Sequence, residues 1–167
     1  CLIAGKLAEK SGRKTGLLYA ALTFTISSLV MGLAPNLAFF IGGRFFAGIG
    51  VGMASMLSPM YIAEIAPDKY RGRLVSLNQL TIVLGIVVTH LVNFGLKDIG
   101  PDAWRWMFGS GAIPAGLFVL GVIFLPESPR WLVQKSRIIE AELILTKIGG
   151  AEFSKLTIWN IQKSHTG

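Results

Sequence analysis

The sequence predicts an all-α integral membrane protein, and three observations carry this prediction. Hydrophobic residues make up 52% of the 167 positions, charged residues make up only 15%, and the mean hydropathy is +0.59. The apolar residues are gathered in long blocks, each near the ~20 helical residues that cross a hydrocarbon core. Such a chain is solvated mainly by lipid, so water-soluble enzymes and other soluble domains are excluded as a class.

Four blocks are long enough to be membrane spans. Arg44 is the single formally charged residue inside them, because the other Lys, Arg, Asp and Glu residues lie between the blocks or after the last one. Cys1 to Ala4 would be the tail of a further span. The predicted spans cover about residues 16–34, 38–63, 74–96 and 106–125.

The blocks also define the predicted domain organisation. Residues 1–125 form a transmembrane bundle, and residues 126–167 form a cytoplasmic helical segment. The chain opens inside an apolar run and without an initiator Met, so we expect it to be a fragment of a longer protein. The one cysteine excludes an internal disulfide and a metal site built from a cluster of cysteines.

The distribution of cations predicts the topology. Segments 5–14, 64–73 and 126–167 hold four, three and six Lys and Arg residues, whereas the connectors on the other side hold only Lys97 and Arg105. Cations accumulate on cytoplasmic segments, so these three segments are predicted to be cytoplasmic. The net charge of +7 therefore reports topology and some contact with anionic headgroups of the bilayer. Nucleic acid is not an expected partner, because no basic stripe interleaved with aromatic residues occurs.

Arg44 is a candidate functional residue because it lies about six residues inside its span. A cation at this depth is costly unless it faces protein, water or an acidic partner. Gly48, Gly52 and Pro59 share its helical face, which is small and allows another helix to approach. We expect Arg44 to point into a bundle interior; snorkelling to the outer headgroups is the alternative.

The next span carries a polar stripe that includes Gln79 and His90 on the same face as Ile82 and Ile86. An amide at a depth where water is scarce needs partners, and it offers both donors and an acceptor, which suits a ligand rich in hydroxyls. The alternative is a hydrogen bond between helices that only stabilises the bundle. His90 is interpreted as a structural histidine rather than a proton carrier.

Opposite charges from separate connectors are expected to converge at the cytoplasmic mouth. Glu64 and Arg71 flank Pro67 and can face the same side of the protein. A network of such ion pairs could bias a gate by a few kcal/mol, whereas isolated exposed pairs contribute about 0–1 kcal/mol. The other charges expected there are Arg13, Glu127 and Arg130.

Two short helices are predicted after the last span. Ser128 is placed as the N-cap and Pro129 as the first helical residue of the first helix. The second is predicted from Ser136 to Ile148, with a stop at Gly149 and Gly150. The remaining residues, 151–167, are polar and predict no further element.

Four motifs in order resemble the sugar porters of the major facilitator superfamily. Segment 5–14 is similar to the loop between the second and third spans, with Glu9 where Asp is usual. Arg44 with its glycines and Glu64-x-x-Pro67-x-x-x-Arg71-Gly72 resemble the fourth span and its exit. Asn78-Gln79-Leu80 resembles the fifth span, and Pro126-Glu127-Ser128-Pro129-Arg130 resembles the signature after the sixth.

The resemblance implies a part of the N-terminal six-helix half of a twelve-helix major facilitator fold, from the end of span two to just past span six. It implies alternating-access transport of a monosaccharide, a hexose or pentose, with proton symport, in the plasma (inner) membrane. Partners would be the sugar, a proton, the bilayer and the C-terminal half of the same chain. The implied roles are sugar binding for Gln79, Ile82 and Ile86, proton coupling for Arg44, and an inner gate for Arg13, Glu64, Arg71, Glu127 and Arg130.

Other functions stay open. A facilitative uniporter would keep the same arginine, and a drug or organic-ion carrier would share the 5–14 turn but lack Gln79 and the 126–130 motif. A membrane sugar sensor on the same scaffold is a non-transport alternative. No enzyme activity, cofactor or metal is expected, because neither histidine has a nucleophile or ligand cluster beside it.

Overall fold

The computed structural model describes Gly5 and residues 9–163, and every regular element in this part is a helix. The expected span tail at residues 1–4, three residues of the 5–14 turn and residues 164–167 lie outside the described residues. The all-α prediction is confirmed. The helices are α1 (Arg13–Gly32), α2 (Leu37–Ile65), α3 (Asp68–Leu96), α4 (Ala103–Gly109), α5 (Ala112–Phe124), α6 (Pro129–Gln134) and α7 (Ile138–Lys163).

Four stretches are long and apolar enough to cross a membrane: Arg13–Gly32, Leu37–Ile65, Lys69–Leu96 and Ala103–Phe124. They correspond to the four predicted blocks. The second extends past its block at its C-terminal end, and the third extends past its block at its N-terminal end. The extensions carry Glu64, Arg71 and Arg73, which hydropathy assigns to connectors although their backbone is helical. The charged side chains at these helix ends therefore stand on rigid elements.

The first two helices pack closely through glycines of α2. A Cβ at Gly50 would lie 3.0 Å from the Ala20 carbonyl oxygen, and one at Gly43 would lie 2.8 Å from the Met31 side chain. Asn36 caps α2 by accepting a hydrogen bond from the Phe39 amide at 3.0 Å. The two helices therefore approach each other closely at Gly43 and Gly50.

The glycines chosen from the sequence, Gly48 and Gly52, lie elsewhere on α2. Nothing in the described part of the chain lies within 4 Å of a Cβ at either position. Both residues are exposed, together with Arg44 on the same face. This face is thus directed away from α1, and helix periodicity alone could not tell which glycine stripe meets α1.

The predicted fourth span, residues 106–125, is interrupted at Ser110 and Gly111. Pro114 has no amide proton, so it cannot donate to the Ser110 carbonyl; the Ile113 amide donates there instead, at 3.1 Å. The Ser110 hydroxyl also donates to the Met107 carbonyl at 2.9 Å. The span consequently consists of two helices, α4 and α5.

α3 lies at the edge of the bundle and contacts α2 and α4. None of the residues from Lys69 to Leu96 is buried. Ser58 on α2 donates a hydrogen bond to the Asn78 amide oxygen at 3.1 Å, which joins the two helices. Most of the α3 surface is therefore available to lipid or to other parts of a longer protein.

The two helices after the last span, α6 and α7, have a hydrophobic core of their own. Trp131 and Leu132 of α6 pack against Ala141, Leu145 and Ile158 of α7. Ser128 accepts a hydrogen bond from the Trp131 amide and Pro129 begins α6, as the sequence predicted.

The second of these helices, α7, differs from the prediction. It starts at Ile138, and the predicted stop is a kink at Gly150, with φ of 87°. Beyond this kink the chain resumes a helix to Lys163, a part that the sequence did not predict. Three residues of that part are buried: Ser154, Ile158 and Ile161. Tertiary packing therefore stabilises a helix that its polar composition did not predict.

Candidate functional site

The N-terminal end of α1 and the C-terminal end of α2 are joined by an ion pair between Arg13 and Glu64. The Nη2 atom of Arg13 lies 3.1 Å from Oε1 of Glu64, and its Nε donates to the same oxygen at 3.2 Å. The two side chains are only 9% and 10% exposed. Such a pair has little contact with water, so loss of either partner leaves a poorly solvated charge.

The other carboxylate oxygen of Glu64 accepts a hydrogen bond from the Ser128 hydroxyl. Ser128 is fully buried and its oxygen also accepts from the Trp131 amide at 3.5 Å. A single serine thus caps α6 and anchors it to α2. The Glu64 carboxylate thereby joins the start of α1, the end of α2 and the start of α6.

Glu127 binds the beginning of α1. Its Oε1 atom accepts from the backbone amides of Lys14 and Ser128, both at 2.9 Å. Amides in the first turn of a helix have no partner within the helix, so a carboxylate there acts as a cap supplied from distant sequence.

Gly12 allows this carboxylate to approach. Its φ is 101°, a left-handed conformation that favours glycine, and a Cβ there would overlap the Glu127 carboxylate. The requirement for a side-chain-free position beside Glu127 depends on a contact between residues more than 100 positions apart.

Three further hydrogen bonds surround this cluster, and sequence reasoning missed all of them. The Tyr61 hydroxyl donates to the Pro126 carbonyl at 2.7 Å, and the Trp131 indole donates to the Glu9 carbonyl at 2.9 Å. The Lys14 ammonium donates to the Ile123 carbonyl at 2.7 Å. Each acceptor is a backbone oxygen, which carries no sequence signal.

Arg71 and Arg130 occupy a neighbouring position rather than the ion pair itself. The Nε of Arg71 donates to the Ala63 carbonyl at 2.9 Å, near the end of α2. Arg71, Arg130 and Glu64 line one cleft, which residues of α7 also border. Of the five residues expected to converge, Arg13, Glu64 and Glu127 are joined through direct contacts and Ser128, while the two arginines border the cleft beside them.

The three residues expected to contact substrate lie on α3. Gln79, Ile82 and Ile86 share one face of a continuous helix, and all three are exposed. The solvent-exposed fraction is 45% for Ile82 and 54% for Ile86. Asn78, which precedes Gln79, is oriented toward α2 and bonded to Ser58, so the neighbouring amides have different environments.

Arg44 is exposed on α2, and its guanidinium carbon lies 5.4 Å from the centre of the Phe108 ring on α4. Phe108 itself packs edge-on against Phe40, with ring centres 4.9 Å apart. This arrangement stabilises a cation by contact with an aromatic face.

Among the described residues, no group of three or more His, Cys, Asp or Glu could hold a metal ion.

Comparison with known proteins identifies similar chains of known class. The family described as "Sugar (and other) transporter" matches residues 1–166. The arabinose-proton symporter of Bacillus subtilis is 40% identical over 168 residues, covering 97% of this chain and 36% of the symporter. The galactose-proton symporter of Escherichia coli K12 is 43% identical over 145 residues, covering 87% of this chain and 31% of that protein.

A solved structure is similar in three dimensions as well. The xylose transporter XylE from E. coli, in a partially occluded inward open conformation, superposes with a TM-score of 0.92 at 37% identity. The match covers 98% of this chain and 43% of XylE. The chain thus spans about a third of the length of the curated relatives it matches.

Proposed function

The chain belongs to the sugar transporter family of the major facilitator superfamily, and from this premise we propose that it is part of a protein that carries a monosaccharide across a membrane together with a proton. The transported sugar is a hexose or a pentose. Transport proceeds by alternating access, in which a central site opens to one side of the membrane at a time. The partners are the sugar, a proton, the lipid bilayer of the plasma (inner) membrane and the second half of the same protein.

The buried junction of Arg13, Glu64 and Ser128 is the observation that carries this proposal. It connects two membrane helices to the cytoplasmic helices at one point, with both carboxylate oxygens engaged. In the proposed mechanism this junction, together with Glu127, Arg71 and Arg130, is the N-terminal part of an inner gate. The gate requires only a few kcal/mol of difference between two states, which is within the range of one poorly solvated ion pair.

The proposed sugar contacts are Gln79, Ile82 and Ile86. Their support is the exposed face of α3, where an amide stands beside apolar side chains. A sugar ring offers hydroxyl groups at its edges and C–H groups on its faces, which match an amide and an isoleucine wall respectively. The opposite wall of the site would come from the second half of the protein.

Arg44 is the proposed proton-coupling residue. Its support is its exposed position on a membrane helix, where a guanidinium needs a partner beyond the aromatic contact to Phe108. A carboxylate that pairs with Arg44 and is released on protonation would link sugar binding to proton uptake. A facilitative uniporter lacks this carboxylate and is the competing function.

Uptake into proteoliposomes tests the proposal. The purified full-length protein is reconstituted, and entry of labelled hexoses and pentoses is measured with and without an imposed inward proton gradient. We expect saturable uptake of at least one monosaccharide, faster with the gradient and accompanied by a rise in external pH. An uptake rate that is the same with and without the proton gradient would establish uniport. Absence of any sugar uptake by the folded protein would contradict the transport function.

A further inference from the structure

One face of α3 is turned away from the neighbouring helices and carries two cations near its N-terminal end. Lys69 and Arg73 lie on this face, and both are exposed. The opposite side of α3 holds its contacts with α2 and α4. Four residues between 69 and 96 are partly buried, and at 100° per residue they fall within about 60° of one another on that opposite side. They are Val75, Asn78, Asn93 and Leu96.

Beyond the two cations this face is apolar. The sequence contains no Asp or Glu between residues 69 and 96. The apolar side chains of the face are each at least half exposed, and they extend over about 21 Å of helix, compared with the ~15 Å of hydrocarbon in one leaflet. Since α3 is apolar and long enough to cross a membrane, such a face matches a hydrocarbon environment. We name this surface the Lys69–Leu91 face; it comprises Lys69, Arg73, Leu77, Leu80, Leu84, Val87 and Leu91, which lie within about 80° of one another.

The two cations can contact the same anionic group. Side chains four positions apart are neighbours on a helix surface, and long cationic side chains near the end of a membrane helix extend toward the lipid headgroups. The ring of Tyr70 lies beside them, with its centre 5.6 Å from Nζ of Lys69, and Tyr is enriched at the membrane interface. Arg71 lies on the side that meets α2, where it donates to the Ala63 carbonyl, so it is not part of this group.

We propose that the Lys69–Leu91 face binds an anionic phospholipid, with the phosphate between Lys69 and Arg73 and an acyl chain along the apolar side chains. Charge complementarity favours this occupant, because an ammonium and a guanidinium both attract a phosphate. The cation distribution predicts that this end of α3 lies at the inner leaflet, whose surface carries anionic lipids.

The bound lipid fixes the depth of α3 in the bilayer. Gln79 lies about 120° from the centre of the Lys69–Leu91 face, so the lipid does not occupy the proposed sugar contacts. The proposal therefore does not depend on which sugar is carried.

Lipid-dependent melting of the purified full-length protein tests the headgroup contacts. Phosphatidylglycerol and phosphatidylcholine with the same acyl chains are titrated in a neutral detergent, and the apparent affinity is taken from the rise in melting temperature. The variants Lys69→Gln and Arg73→Gln each remove one cation of the face. Lys155→Gln is the matched control, because it removes an exposed cation of α7 outside the face.

We expect phosphatidylglycerol to stabilise the wild-type protein at lower concentrations than phosphatidylcholine. Lys69→Gln and Arg73→Gln should each weaken the apparent affinity for phosphatidylglycerol about fivefold, and Lys155→Gln should weaken it less than about twofold. Equal stabilisation by the two lipids would overturn the proposal. Equal weakening by all three variants would also overturn it, since it would show attraction to the net charge alone.

Photocrosslinking in liposomes identifies what covers the apolar part of the face, and it does not depend on the charge variants. Leu80→benzoylphenylalanine should capture a phospholipid on illumination. Val75→benzoylphenylalanine, on the side that meets α2 and α4, is the control and should capture little lipid. Capture of a peptide of the same protein at position 80, in place of lipid, would show a protein contact there and refute the lipid site. Sugar uptake is measured separately, so lipid binding by a protein without sugar uptake would refute only the transport function.

Discussion

Arg13 and Glu64 form a direct ion pair across 51 positions of sequence, with 3.1 Å between Nη2 and Oε1 and about nine-tenths of each side chain buried. The pair joins the first residue of one membrane helix to the last turn of the next. Ser128 adds the start of α6 to the same carboxylate. Removal of this carboxylate should therefore loosen three segments at once.

Glu64→Gln should lower the free energy of unfolding by about 2–4 kcal/mol, because it leaves the Arg13 cation without its counter-charge in a poorly solvated position. Thermal denaturation of the purified full-length protein measures the effect. Glu140→Gln is the control, since Glu140 pairs with Arg137 at 2.7 Å but both side chains are about half exposed. Its expected cost is about 0–1 kcal/mol. Equal costs for the two variants would show that the Arg13–Glu64 pair behaves as ordinary surface charge.

Gly12→Ala should be costly for two separate reasons. The left-handed φ of 101° strains any residue with a Cβ, and that Cβ would displace the Glu127 carboxylate from the Lys14 amide. We expect a loss of roughly 2–4 kcal/mol in unfolding free energy, measured by the same denaturation experiment. Gly95→Ala, in a helix with open space around the position, should be neutral or slightly stabilising. A wild-type melting temperature for Gly12→Ala would refute the close contact with Glu127.

Tyr61→Phe removes one hydroxyl that donates to the Pro126 carbonyl at 2.7 Å. The ring is only 6% exposed, so the carbonyl would have little water to replace the lost donor. The expected cost is about 1–2 kcal/mol, seen as a lower melting temperature. Tyr19→Phe, at a ring that is 51% exposed, should change it very little. If both variants melt alike, the hydrogen bond does not contribute to stability.

The spans could be predicted from sequence because the solvent determines them. A membrane helix must be apolar for about 20 residues, so 38–63 and 74–96 were visible as blocks without any knowledge of packing. The roles of Ser128 as a helix cap and of Pro129 as the first helical residue could also be predicted, because a helix cap depends on residues that are neighbours in sequence.

The contacts between segments could not be predicted in the same way. The sequence indicated that Glu64 and Arg13 would share the cytoplasmic mouth, but not that they pair directly or that Ser128 takes the second oxygen. It placed Gly48 and Gly52 on a face that another helix can approach, but it did not indicate that Gly43 and Gly50 contact α1. Periodicity gives the faces of a helix but not the neighbour that each face meets.

Impermeant cysteine labelling in intact cells tests the topology, in a background without other reactive cysteines. Lys10→Cys should be protected and Asp98→Cys should react, because the cation distribution places the 5–14 turn in the cytoplasm and the link after α3 outside. Both native residues are exposed, so access within the protein is matched. Labelling of position 10 alone would reverse the orientation. Permeabilised cells, in which both positions should react, provide the control.

The proposed sugar site is tested most directly by one purified full-length variant, Gln79→Ala, whose sugar affinity and melting temperature are both measured. If the amide hydrogen-bonds the sugar in a poorly hydrated site, its loss should weaken binding by about 1–3 kcal/mol, or roughly 5- to 150-fold, with little change in stability. Thr89→Ala, on the same exposed helix but bonded to the Gly85 carbonyl, is a control that should retain normal affinity. A normal affinity combined with a lower melting temperature for Gln79→Ala would identify the residue as a contact between helices and contradict its place in the sugar site.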